Sequence, residues 1–119
     1  MALVRAATEP CLVLDRSGLV AACSPAAGRL LEIPGIDTVI GKSLLDGIPA
    51  PVDFTASGDR LSEWELARLP PLLALATGSL ARGLIRFRVH RHIRTVDAVS
   101  TPLRDHAEIA GSLTFFAAI

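Results

Sequence analysis

The sequence predicts an α+β domain. Three observations carry that expectation: two short apolar runs flank a turn near the N-terminus, Gly and Pro divide the middle into short helical pieces, and the last third takes the period of β-strands. With 119 residues, the chain can build one hydrophobic core but not two, and it shows no internal repeat or interdomain linker. A single domain over residues 11–119 is expected, preceded by an N-terminal segment, residues 1–10.

Cys11-Leu-Val-Leu-Asp15 and Leu19-Val-Ala-Ala-Cys23 flank Arg16-Ser17-Gly18, whose glycine can take the positive φ of a tight turn. They read as a hairpin. If its register is symmetric about Ser17, Cys11 stands opposite Cys23, and the pair is either two small buried thiols or a redox-sensitive couple. Ser24 then supplies an N-cap with Pro25 at the first helical position; Ala26, Ala27, Leu30 and Leu31 give a short apolar face, and Ile33-Pro34-Gly35 ends the helix. From there to Leu61, Gly35, Gly41, Gly47, Pro49, Pro51 and Gly58 permit only brief turns and loops. Ser62 and Glu65 form a capping-box signature, and Trp64, Leu66, Leu69, Leu72, Leu73 and Leu75 continue at helical spacing to Gly78, with a break or kink required at Pro70-Pro71. Beyond it, Ile85–Val89, residues 93–101 and Ile109–Ile119 read as three antiparallel strands.

Composition excludes several classes. Twelve basic and twelve acidic residues cancel, so no global field concentrates nucleic acid or an anionic membrane. No apolar run reaches the length needed to span a bilayer, and Glu9 and Pro10 interrupt the start too early for a secretory signal. Two cysteines make neither a disulfide framework nor a zinc site, which fits a reducing, cytoplasmic setting.

Asp15-Arg-Ser-Gly18, Ser24-Pro-Ala-Ala-Gly-Arg-Leu-Leu31, Gly41-Lys-Ser-Leu-Leu-Asp46, Ser100-Thr-Pro-Leu-Arg-Asp105 and Gly111-Ser-Leu-Thr-Phe-Phe116 occur in the order of the motifs of a PAS domain. The chain resembles the small bacterial sensory type over nearly its whole length. The resemblance implies a five-stranded antiparallel sheet with short helices packed on one face, and a sensory or protein-interaction module of bacterial signal transduction that is not an enzyme. The family commonly closes with Asp-Ile-Thr, a coupling point to its output, whereas this sequence ends Ala117-Ala118-Ile119. Either the coupling element differs or an output or regulatory domain lies beyond Ile119.

Motifs for chemistry fall short. Gly35 to Lys42-Ser43 resembles a phosphate-binding loop, but five residues separate Gly35 from Gly41 where four are needed, and the segment follows a helix end rather than a strand. No Gly-x-Ser-x-Gly motif is present. His90 and His92 share a strand face without an evident third ligand, and His106 sits in a loop beside Asp105, so no metal is expected. Haem-binding relatives place His on the longest helix, and flavin-adduct relatives carry Asn-Cys-Arg-Phe; both features are missing, which disfavours haem and covalent flavin and leaves room for an unidentified small apolar or organic ligand. Arg82, Arg86, Arg88, Arg91 and Arg94 form a local basic stretch, expected as a solvated strand face with Asp97 as cross-strand partner rather than a nucleic-acid site.

By the resemblance, a pocket is lined by the long helix and the concave sheet face, giving Leu73, Val96, Ala98, Ser100, Ser112, Thr114 and Phe116 as candidate ligand-binding residues. A core filled by Trp64, Leu72, Leu73 and Leu75 is the competing expectation, and the domain is then a purely structural dimerisation unit. The same register turns Val99, Leu113 and Phe115 outward as a candidate homodimer interface, with Leu3 and Val4 available to shield part of it.

Overall fold

The computed structural model describes residues 2–5, 7–44, 46 and 49–119. The expected Gly47 and the Leu45 of the Gly41–Asp46 segment lie outside them. Helix α1 (Ala2–Arg5) precedes hairpin β1 (Cys11–Asp15) and β2 (Val20–Cys23), then α2 (Pro25–Leu30), a 3₁₀ turn (Ile36–Val39), β3 (Ala50–Val52), α3 (Glu63–Leu66), α4 (Pro70–Thr77) and strands β4 (Ala81–Val89), β5 (His92–Asp105) and β6 (Glu108–Ala118). The strands form one antiparallel sheet in the order β2-β1-β6-β5-β4-β3.

The sheet therefore has six strands where five were expected. The addition, β3, carries Pro51 opposite Phe87 on an edge strand, where a missing N–H is tolerated. The first turn is built by Asp15, whose carboxylate accepts from the Ser17 and Leu19 N–H groups while Gly18 takes φ 81°. The hairpin is not symmetric, however. A register shift between Val13 and Leu14 pairs Leu12, not Cys11, with Cys23. One residue of slip reverses a side chain's face, so Cys23 enters the main core with Leu12 and Leu14, while Cys11 packs with Val4, Val13 and Ala22 on the opposite face.

Local caps form as their residues dictate. Ser24 Oγ accepts from Ala27 N–H, and it also accepts from Cys11 N–H and donates to the Glu9 carbonyl, which pins α2 to the start of β1. Ser62 and Glu65 complete a reciprocal capping box on α3. The chain breaks after α3, and α4 starts afresh at Pro70 with Leu69 as N-cap; it ends at Gly78 in the left-handed region.

The main core lies between the sheet's inner face and α2, the 3₁₀ turn and α4, and contains Leu14, Val20, Ala27, Ile85, Phe87, Val96 and Phe116. Helix α1 lies on the other face, where Val4 is buried against Cys11, Val13 and Ala22, with Leu103 and Leu113 packed around them. Not every helix is on one face.

Candidate functional site

The concave face is the place to look for a site, because alternation sends Val96, Ala98 and Ser100 of β5 and Ser112, Thr114 and Phe116 of β6 to the same side. All six are buried there. Cross-strand pairing sets Ala98 opposite Phe116 and Ser100 opposite Thr114. The hydroxyls of this set are bound within the protein: Ser100 Oγ lies 2.6 Å from Thr114 Oγ1, and Ser112 Oγ donates to the Pro71 carbonyl at 2.9 Å. Helix α4 closes over this half of the face. Leu73 is the misplaced member. Because α4 restarts its phase at Pro70, it turns Pro70, Pro71 and Ala74 inward and leaves Leu73 exposed, while Leu72 packs on the core. Trp64 is also exposed, at 70%, and fills nothing.

An apolar cavity of about 30 Å³ remains in the other half of the core. Leu12 and Val20 of the hairpin, Leu31, Ile33 and Val39 around the end of α2, and Phe87 and Phe116 of the sheet form its wall. Lys42, Ser43, Leu44 and Pro49 complete it on the loop side. Phe87 and Phe116 meet edge to face, ring centroids 6.2 Å apart and 82° between planes. The loop is tied to β2 by Val20 N–H to the Lys42 carbonyl at 2.9 Å and Gly41 N–H to the Val20 carbonyl at 2.8 Å. Of the seven expected residues, only Phe116 reaches this cavity. The loop residues lacked any periodicity to mark them; for Lys42, Ser43 and Leu44 the one signal was membership of the Gly41–Asp46 motif.

The cavity's size and chemistry limit its occupant. A void must exceed roughly 10–15 Å³ to admit one water, and a dry apolar void of about 150 Å³ is of the size that takes benzene. This cavity is near the lower figure, and the wall that the described residues expose to it is apolar. Among the described residues, Lys42 and Ser43 are the polar residues that line it.

Arg82, Arg86 and Arg88 of the basic stretch are engaged in structural contacts. Arg82 forms two hydrogen bonds with Asp97, at 2.7 and 3.3 Å, and that bond holds the Asp97 carboxyl below its ordinary pKa. Arg86 donates to the Asp53 and Thr55 carbonyls and lies over the Phe54 ring; Arg88 donates to the Ser57 and Gly58 carbonyls. These two arginines strap the 53–59 loop to the sheet. Asp53 completes the loop by accepting from Thr55 and Asp59, bonds that lower its carboxyl pKa, those from Thr55 most. Among the described residues, no group of His, Cys, Asp and Glu is arranged to hold a metal.

On the outer face, Val99 pairs with Phe115 and Thr101 with Leu113. Leu113 is half-buried beneath the Val4 contact, Val99 is half-buried, and Phe115 is 41% exposed. Leu84 on β4 and Leu3 on α1 are exposed as well. Val4 thus covers part of the face and Leu3 does not. No helix among the described residues is long and apolar enough to cross a membrane.

Comparison with known proteins places this geometry. The family model described as PAS fold matches residues 1–118. The chain superposes on the PAS domain of a Colwellia psychrerythraea protein with a TM-score of 0.71 at 15% identity, covering 99% of this chain and 92% of that one. The PAS domain of nitrogen regulation protein NR(II) from Vibrio parahaemolyticus gives 0.67 at 18% identity, covering 99% and 95%. The Vibrio cholerae VqmA dimer, solved in the absence of target DNA, gives 0.70 at 16% identity; 99% of this chain spans 49% of that one. At these identities the structural likeness is one of fold. No curated protein matches the sequence.

Proposed function

Since the chain belongs to the PAS family, whose model matches residues 1–118, we propose that it is a non-catalytic sensory and interaction module of bacterial signal transduction. Its sensing site is the apolar cavity between α2, the 41–44 loop and the Phe87–Phe116 pair. The observation that carries this reading is the wall itself, formed by residues from the hairpin, the loop and the late strands, and apolar among the described residues. Its ligand is a small uncharged apolar molecule, and an output domain beyond Ile119 reads the occupied state. The cytoplasm is its proposed location.

The small volume favours a second reading, in which the core is a filled one and the domain acts by dimerisation through Val99, Phe115 and Leu84. The two are separable. Solvent extraction of purified protein followed by mass spectrometry supports sensing if a small apolar compound is recovered from wild type and depleted in Val20→Ile, which fills the cavity. Recovery of none from either protein supports the dimerisation reading and ends the ligand claim.

A further inference from the structure

A second concavity lies at the edge of the sheet, between β3 and β4 on one side and α3 with the turn after it on the other. Its volume is about 340 Å³, more than ten times that of the interior cavity, and the two share no lining residue. Val52, Leu61, Leu69 and Ile85 give it an apolar floor. Sites for small molecules ordinarily measure about 300–1,000 Å³ and combine apolar walls with a few placed polar groups.

Two aromatic rings stand exposed on this groove, Trp64 at 70% and Phe54 at 60%. A single apolar side chain in water needs no explanation, but two rings at one groove, each with an arginine over it, do. The Arg86 guanidinium is 5.4 Å from the Phe54 centroid and that of Arg68 is 5.1 Å from the Trp64 centroid. The two arginines differ in what they have left to give. Arg86 Nη1 donates to the Asp53 and Thr55 carbonyls, which fixes it in the 53–59 loop. Arg68 follows α3 in an exposed turn and, among the described residues, has the Trp64 ring but no carboxylate in ion-pair reach. The acids that line the groove are turned to the backbone: Glu65 Oε1 accepts from Ser62 N–H, and Asp53 Oδ1 accepts from the Thr55 and Asp59 N–H groups. A ring face answers the charge of a guanidinium but leaves open its planar fork of donors, which matches a carboxylate at two points.

We propose that this groove binds a planar aromatic carboxylate, with its ring against Trp64 and Phe54 over the apolar floor and its carboxylate on Arg68. A neutral aromatic molecule leaves the Arg68 fork to water, and an aliphatic acid leaves both rings uncovered, so the residues select for the two features together. The site is independent of the interior cavity, and either can fail without the other.

Trp64 is the one tryptophan of the chain, so its indole N–H gives a single NMR signal that reports on this groove. The probes are naphthoate, its neutral counterpart naphthamide, and acetate. Naphthoate should shift the Trp64 indole signal and the Phe54 and Leu61 amides saturably while the Leu12, Val20 and Val39 methyls of the interior cavity stay unmoved. Naphthamide and acetate should each bind at least about tenfold more weakly, the first for want of a charge-assisted contact and the second for want of a ring. Arg68→Gln, a change at an exposed residue, should bring naphthoate down to the affinity of naphthamide. Shifts that do not saturate, equal affinity of wild type for naphthoate and naphthamide, or undiminished naphthoate binding in Arg68→Gln overturn the proposal. If the variant does not fold, the comparison of acid with amide in wild type decides alone.

Discussion

Ser112 on β6 donates its hydroxyl to the carbonyl of Pro71, 2.9 Å away in the first turn of α4. That bond ties the first turn of α4 to the sheet, and it gives the buried Ser112 hydroxyl its partner. Together with the Ser100–Thr114 contact, it makes the polar side chains of the concave face structural.

Ser112→Ala should therefore destabilise the fold by about 0.5–1.5 kcal/mol, because the hydrogen bond between the sheet and α4 is lost. Urea unfolding checks this: the midpoint should fall while the slope stays constant. An unchanged midpoint would mean that α4 is not held through this bond.

Cys23 predicts a pH dependence. Burial, with Cys11 nearby as a lesser cause, pushes its thiol from 9.0 up to about 11. The raised pKa means the folded state keeps a proton that the unfolded state releases. Stability from this group is then fully present below 9.0 and is lost as pH rises through about 11. Cys23→Ala should flatten that loss in unfolding curves taken from pH 8 to 10.5. Because Cys11 and Cys23 face opposite sides of the hairpin, mild oxidation of folded protein should leave two titratable thiols. Loss of both thiols within a monomer would contradict the bulged register.

The outer face carries the third prediction. Phe115, 41% exposed, sits opposite Val99 with Leu84 exposed on the neighbouring strand β4, and apolar area left in water gains about 25 cal/mol per Å² when covered. Wild-type protein should be a dimer by light scattering at micromolar concentrations, and Phe115→Glu should be a folded monomer. A monomeric wild type removes the dimer from the account.

Elements written in local chemistry were legible in the sequence. The Asp15–Gly18 turn, the Ser24 cap, the Ser62–Glu65 box and the inward set Val96, Ala98, Ser100, Ser112, Thr114 and Phe116 all depend on neighbours a few residues apart or on simple alternation. What depended on distant contacts was not. The bulge that separates Cys11 from Cys23 follows from how β1 also pairs with β6, and symmetry about a turn cannot reveal it. Leu73 fitted a continuous leucine stripe, but Pro70 restarts the helix and resets its phase. The three residues of β3, with proline among them, carry no strand signature and exist as a strand because β4 offers an edge. The cavity's loop side escaped for the same reason. Lys42, Ser43, Leu44 and Pro49 carry no periodic pattern, and the bonds of Gly41 and Lys42 with Val20 position the first of them.

The central claim is that the cavity walled by Leu12, Val20, Val39, Phe87 and Phe116 is a site rather than a packing flaw. Xenon tests it most directly, since it is apolar, has no shape to fit and enters dry cavities without needing a polar partner. Methyl NMR under increasing xenon pressure should show saturable shifts confined to Leu12, Val20, Leu31, Val39 and Leu44, and these should be lost in a folded Val20→Ile protein. Shifts that never saturate, or that persist unchanged in Val20→Ile, would mean that no site exists there.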